Sequence, residues 1–278
     1  MAQYFVSFYP RIPLDENVSI FEPLDDNNLG LMLRQAAGVL VPPYISPWRY
    51  HAITRLANSW FPRLDARFTY QGKIRQIDLF RRLGVRYPET HTFRDPATLV
   101  QYLQRFGAPW EYPFVLKGDK GGGGSTVYPI YRPSDISRHI VKLPAAEPLL
   151  LQKWVKHGGK DLRVVVYGTQ AISYFRVGGG QFYNNVCRGS RIDHDLCPEQ
   201  RRGGILATLE FCRKAFIDIA GFDLMFPDNH QPVFIEINFH FGRKGLGGRS
   251  GHQKKVEQAV KQWRANILKN GCHVADSL

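Results

Sequence analysis

Cysteine is scarce in this sequence: Cys187, Cys197, Cys212 and Cys272 are the four it has in 278 residues. None of them stands in a CxxC pair, which argues against a disulfide framework and for reduced thiols in a cytoplasm. No run of 18 apolar residues occurs, and Met1-Ala2-Gln3-Tyr4-Phe5-Val6 lacks a basic region ahead of an apolar one. Neither a spanning helix nor an export leader is expected, and the chain reads as cytoplasmic. Internal repeats and low-complexity linkers are also missing. Lys and Arg outnumber Asp and Glu by 37 to 24, giving a net charge of +13, yet no long block of one sign exists. The cations are scattered over 63–86, 188–202 and 243–269 with acids between them. Such scatter fits a basic surface around polyanionic small ligands better than a nucleic-acid track, so nucleic acid is an unlikely partner and a membrane is not one.

What the chain does have is apolar mass. At 44% hydrophobic and 13% aromatic content, it can fill a large core divided among two or three lobes. The first seventy residues read as a small α/β unit with strands at 4–8 and 38–41 and a helix opening at Ser46-Pro47 and running to about Trp60. Lys73 to Leu83 carries apolar residues at helical spacing and is closed by Gly84. Asp95-Pro96 opens a further helix that ends near Phe106-Gly107. Strands follow at 113–117, 126–130, 149–155, 162–167 and 171–176, then a long helix over 199–220 and an amphipathic C-terminal helix.

The segment Gly221-Phe222-Asp223-Leu224-Met225-Phe226, a polar turn, and Val233-Phe234-Ile235-Glu236-Ile237-Asn238 read as a hairpin. Pairing that is symmetric about the turn sets Phe226 opposite Val233 and Asp223 opposite Glu236. Two facing carboxylates repel unless positive charge lies between them. Asn238 shares the face of Glu236, being two residues on. Two carboxylates and an amide oxygen suit a hard cation such as Mg²⁺. The hairpin alone leaves two readings open: a cation between the acids, or capping of the acids by nearby Arg or Lys.

Lys117 ends a strand and is followed by Gly118-Asp119-Lys120-Gly121-Gly122-Gly123-Gly124-Ser125. No GxxxxGK[ST] pattern is present, and the residues that follow are strand-forming, so this is not a Walker A loop. The expected object is a hairpin flap in which the amides of Gly121, Gly122, Gly123, Gly124 and Ser125 face phosphate oxygens.

Together these features resemble the ATP-grasp superfamily over about residues 68–250, in particular ligases of the RimK and glutathione-synthetase type. The implied fold is α+β: two α+β lobes with antiparallel sheets clasping ATP (71–148 with the flap, 149–278 with the metal site), preceded by a small α/β unit over 1–70. The resemblance implies that Lys73 and Lys117 contact the nucleotide, that Gln152, Lys153, Trp154 and Val155 form the adenine hinge, and that Asp161 of Lys160-Asp161-Leu162-Arg163 helps to bind nucleotide. Arg176 matches the arginine beside the transferring phosphoryl group, Asn185 the asparagine ahead of a glycine turn, and Asp223, Glu236 and Asn238 the metal-ligand trio. Arg188, Arg243, Lys244 and Gly247 fall where the substrate would lie. Two departures stand out: Lys153 replaces the usual hinge Glu, and Tyr183-Asn184-Asn185 replaces Arg-Ser-Asn, removing one cation that Arg188 or Arg191 can replace.

The activity implied is ATP-dependent joining of a carboxylate to an amine, an amino acid or peptide, through an acyl phosphate, with Mg²⁺ (or Mn²⁺ in its stead) as the metal. A kinase leaving a stable phosphorylated product and a non-catalytic nucleotide binder are the alternatives; a homodimer is left open. Taken singly, several of these residues have ordinary readings. Lys73 suits a helix surface, Asp161 can pair with Arg163, Asn185 suits a turn, His240 suits packing and Cys187 a simple thiol.

Overall fold

The computed structural model describes residues 3–24, 27–178, 189–227 and 231–275, with backbone alone over 270–275. Three sheets organise it. The first is wholly parallel, ordered β2-β1-β3-β4, from β1 (Phe5–Ser7), β2 (Glu16–Asn17), β3 (Gly38–Leu40) and β4 (Trp60–Phe61). Parallel neighbours need crossovers; here α1 (Asn27–Gln35) and α2 (Pro47–Thr54) supply them and bury Leu29, Leu33, Tyr50 and Ile53 against Val6 and Val39. The helix begun at Ser46-Pro47 therefore stops at Thr54, short of Trp60. The chain must return to the sheet, and Asn58 Nδ2 donating to Arg34 O at 2.7 Å holds that return.

Next come α3 (Asp65–Thr69), α4 (Gly72–Arg82), β5 (Thr90–Phe93), α5 (Pro96–Phe106), β6 (Phe114–Gly118), β7 (Val127–Ile130), α6 (Pro133–Ile140) and β8 (Leu149–Lys153). The strands form an antiparallel sheet ordered β5-β8-β6-β7. Asp95 caps α5 by accepting from Thr98 N at 2.8 Å, and Gly107 ends it at φ +74°. The strand at 149–155 is shorter than the sequence suggests, since pairing ends at Lys153.

The third sheet, β11-β10-β9-β12-β13, is antiparallel throughout. Its strands are β9 (Lys160–Tyr167), β10 (Gln170–Val177), β11 (Arg191–Asp193), β12 (Ile219–Met225) and β13 (Val233–Asn238), with α7 (Pro198–Ala215) inserted and α8 (Gly248–Ala275) following. The long helix ends at Ala215 rather than Ala220, because Phe216 takes the left-handed conformation (φ +54°) and Ile217 N closes on Cys212 O, freeing Ile219 for the sheet. One sheet face carries Leu162, Val164, Phe222, Leu224 and Phe234 into a core with Phe211 of α7 and Ile77 and Phe80 of α4. The other face carries the charged residues, and further along it Val165 and Tyr167 lie under Val256 and Val260 of α8.

The hairpin register departs from symmetry. Asp223 does face Glu236, but Val233 faces Met225 and not Phe226, because a bulge follows Asp223 and leaves Ile235 as the extra residue. The bulge has a purpose in packing: an unbroken period of two would put Phe234 on the same face as Glu236. With it, Phe234 and Ile237 both reach the core while Ile235 and Glu236 both reach the cleft. Among the described residues no helix is long and apolar enough to cross a membrane.

Candidate active site

Strand register builds the site in rows. Tyr174, Arg163, Asp223 and Glu236 lie side by side across β10, β9, β12 and β13, and Arg176 lies opposite Asp161 two residues along. Alternation in Asp161-Leu162-Arg163-Val164 sends both charges to one face and both apolar residues to the core. Arg176 holds Asp161 with two donors, Nε to Oδ1 at 2.7 Å and Nη2 to Oδ2 at 2.6 Å. Asp161 therefore pairs with Arg176 and not with Arg163. Asp223 takes four donor contacts: Arg163 Nε (2.6 Å) and Arg176 Nη2 (3.0 Å) at Oδ1, Arg163 Nη2 (3.2 Å) and Asn238 Nδ2 (3.2 Å) at Oδ2. Burial alone would raise the Asp223 carboxyl; the two guanidiniums outweigh it and hold it below the usual range. Arg176 is buried too, but Asp223 and Asp161 raise it and keep it charged.

Glu236 is treated differently. Half-buried, it accepts no hydrogen bond from a described side chain, and burial together with Asp223 pushes its carboxyl up against the pull of Lys73 and Lys117. The two readings of the hairpin thus divide between the two acids. Asp223 is capped by arginine, and Glu236 has no direct partner among the described side chains. Asn238 spends its N–H on Asp223 and keeps Oδ1 free. Glu236 and the Asn238 oxygen fit Mg²⁺, whereas Asp223, its roughly four lone-pair sites taken, would reach an ion only by giving up one contact. No group of three or more His, Cys, Asp and Glu is placed for a metal among the described residues.

The opposite wall comes from α4 and the second sheet. Gln76 exchanges two 2.8 Å hydrogen bonds with the Ile237 backbone, fastening α4 to the acidic hairpin. One turn earlier, Lys73 Nζ donates to Asp119 O (3.3 Å) and Gly121 O (3.2 Å) of the glycine loop. Asp119 in turn accepts from Ile74 N at 2.8 Å. Gly72 makes this docking possible, since a Cβ there would stand 2.3 Å from Asp119 Oδ2. Lys117 is buried and donates to Gln152 Oε1, while Gln152 Nε2 donates to Thr90 Oγ1 at 3.0 Å. Burial, only partly offset by Glu236, lowers the Lys117 ammonium to about 8.

These walls enclose a cleft of about 370 Å³, within the range of small-ligand sites. Of the residues singled out from sequence, Lys73, Lys117, Gly123, Gly124, Gln152, Lys153, Trp154, Val155, Asp161, Arg176, Asp223, Glu236, Asn238 and Lys244 line it together. Gly121 and Gly122 are exposed, Gly121 bordering a neighbouring hollow, and Ser125 is exposed as well. Arg243 is exposed and acts electrostatically on Tyr167 and His252, and Gly247 (φ +77°) starts the turn into α8; neither lines the cleft. Asn185 and Arg188, with Tyr183, Asn184 and Cys187, lie outside the described residues. Sequence reasoning passed over Arg163, Tyr174 and Gln76. For the first two the period-two pattern of β9 and β10 was the available signal; for Gln76, its spacing of three from Lys73 was.

No family model matches the chain. It is 25% identical over 192 residues to "Probable alpha-L-glutamate ligase 1" of Shewanella amazonensis, covering 68% of this chain and 61% of the relative. A "Probable alpha-L-glutamate ligase" of Thioalkalivibrio sulfidiphilus is 29% identical over 184 residues, covering 64% and 58%. The chain thus spans about three fifths of the length of these relatives. Among solved structures, the RimK domain ATP-grasp protein of Sphaerobacter thermophilus superposes with a TM-score of 0.55 at 13% identity, covering 81% of each chain. The fold is the ATP-grasp fold.

Proposed function

We propose that the protein is an ATP-dependent carboxylate–amine ligase. One observation carries the reading: a cleft between two sheets gathers Lys73, Lys117 and Arg176 around Glu236 and Asn238, which have oxygens free for a cation. Three cations flanking an unpaired carboxylate match a metal-bound polyphosphate, whose charge needs both. The relatives named as glutamate ligases support the same reaction class.

In this reading a nucleotide lies along Gln152–Val155 with its phosphates toward Lys73, Lys117 and the glycine loop. Glu236 and Asn238 would hold Mg²⁺, which when bound would neutralise phosphate charge. A substrate carboxylate oxygen attacks the γ-phosphorus, the bond to the β–γ bridging oxygen breaks, and ADP leaves. Arg176, kept charged and rigid by Asp161, faces the charge that develops on the transferring group. An amine then adds to the acyl carbon, loses its proton and expels phosphate, giving the amide. The glycine loop, tied to α4 through Asp119 and Lys73, keeps water off the anhydride.

Oxygen tracing tests the reaction. With carboxylate substrate labelled by ¹⁸O, one labelled oxygen should appear in the inorganic phosphate released. Label-free phosphate during amide formation would exclude the acyl phosphate, and a stable phosphorylated product would mark a kinase.

A further inference from the structure

The wall of the cleft formed by β10 contains a phenol with no assigned task. Tyr174 is 4% exposed and lines the cleft, and its hydroxyl makes no hydrogen bond to any described residue. The enclosed side-chain atoms that lack a partner among the described residues do not include this hydroxyl, which therefore opens onto the cleft and is available to a ligand. The ring itself is firmly placed. It shares a row with Arg163, Asp223 and Glu236, packs 5.4 Å from the His194 ring, and rests on Gly245, where a Cβ would stand 2.4 Å from the ring. Gly245 therefore keeps the turn at Lys244–Leu246 against the ring, and Lys244, which also lines the cleft, is exposed with no ion-pair partner among the described residues. Burial raises the phenol, so at neutral pH it keeps its proton and acts as a donor.

A phenol that keeps its O–H proton to donate and an ammonium with no ion-pair partner among the described residues, set beside Arg163 and Arg176, fit an anion with two acceptor oxygens. We propose that Tyr174 and Lys244 form the anchoring subsite for the carboxylate to be phosphorylated, that of an amino acid or peptide. The Tyr174 O–H donates to one carboxylate oxygen and leaves the other to attack phosphorus. When the amine adds, negative charge grows on the oxygen that Tyr174 already holds, so the same bond stabilises the step that makes the amide. The inference rests on the ligase reading above and goes further by naming what holds the substrate.

The test is calorimetric. L-Glutamate is titrated into wild type and Tyr174→Phe, each saturated with Mg²⁺ and a non-hydrolysable ATP analogue. Tyr174→Phe keeps the ring and its seat on Gly245, so the fold should persist. Removing one hydrogen bond to a charged group should raise the Kd for L-glutamate by about ten- to a hundredfold and leave analogue affinity unchanged. Equal L-glutamate affinity in the two proteins, or no binding of it to wild type, overturns the subsite. Failure of the analogue itself to bind wild type would instead overturn the ligase reading on which the subsite rests.

Discussion

Lys117, expected from sequence to contact the nucleotide, and Glu236, expected to be a metal ligand, hold their charges at different cost. Lys117 is buried and its ammonium is lowered from 10.5 to about 8. Below about pH 8 both folded and unfolded chains carry the proton, and the folded state bears the cost of burying it. Between about 8 and 10.5 the unfolded chain binds more protons than the folded one, so this cost is relieved as pH rises. The shift corresponds to ~3 kcal/mol. Lys117→Met should therefore unfold at higher urea than wild type at pH 7, with the gap closing toward pH 10, while nucleotide affinity falls. A wild-type-like midpoint at pH 7 would show that the Gln152 contact compensates the ammonium in full. Glu236→Gln keeps the shape of its side chain and removes the one charge here that no described cation pairs directly. Turnover should drop by on the order of a hundredfold or more with the thermal transition intact; undiminished turnover would remove Glu236 from the metal site.

At the scale of elements, small residues decide how closely helices approach the sheets that carry the site. Gly204 of α7 faces β9 and β12: a Cβ there would stand 2.5 Å from Leu162 Cδ2 and 3.2 Å from Leu224 Cδ1. Both leucines alternate with site residues, Leu162 with Asp161 and Arg163, Leu224 with Asp223. Gly204→Ala gains up to about 1 kcal/mol in helix propensity but overpacks the core by about 1–3 kcal/mol. A net loss of stability measured by urea denaturation is expected; a stabilised variant would show that Leu162 has room to turn aside. The glycine loop between β6 and β7 was legible in sequence as the turn of a hairpin. Its tether to α4 was not, because the Asp119 contacts with Gly72, Lys73 and Ile74 join segments some 45 residues apart, a separation no local pattern reports.

Across the whole molecule, α8 fastens the N-terminal parallel sheet to the lobe that bears Asp223 and Glu236. Trp263 stacks on Phe61 (5.8 Å), meets Phe5 edge-on (5.5 Å), and lies where a side chain at Gly38 would have to go. Arg63 joins the same two regions through Asp218, which accepts from Arg63 N at 2.6 Å and from its guanidinium. Trp263→Ala should cost about 2–4 kcal/mol, less than a fully buried tryptophan because Trp263 is half-buried. The check is the urea midpoint, and a cost below about 0.5 kcal/mol would mean that Arg63–Asp218 and the rest of the interface hold the sheet unaided.

By itself the sequence determined the local elements and the chemistry on offer. Alternating polarity put Asp161 and Arg163 on one face of β9 and set Asp223 apart from the apolar residues beside it in β12. Pro96 and Gly107 bounded α5, and Lys117 before a glycine run marked the loop. These are short-range matters, governed by side-chain period and backbone freedom. Tertiary structure decided which charges meet. Whether Arg163 pairs with Asp161 or Asp223 depends on strand neighbours, and β12 joins the sheet from 60 residues downstream of Arg163. The bulge at Ile235 likewise follows from the need to bury both Phe234 and Ile237, and only the packed core imposes that need. Arginine thereby satisfies Asp223 and leaves Glu236 open, a division that two facing carboxylates in a sequence leave undecided, because burial and cross-strand partners set the charge balance of each.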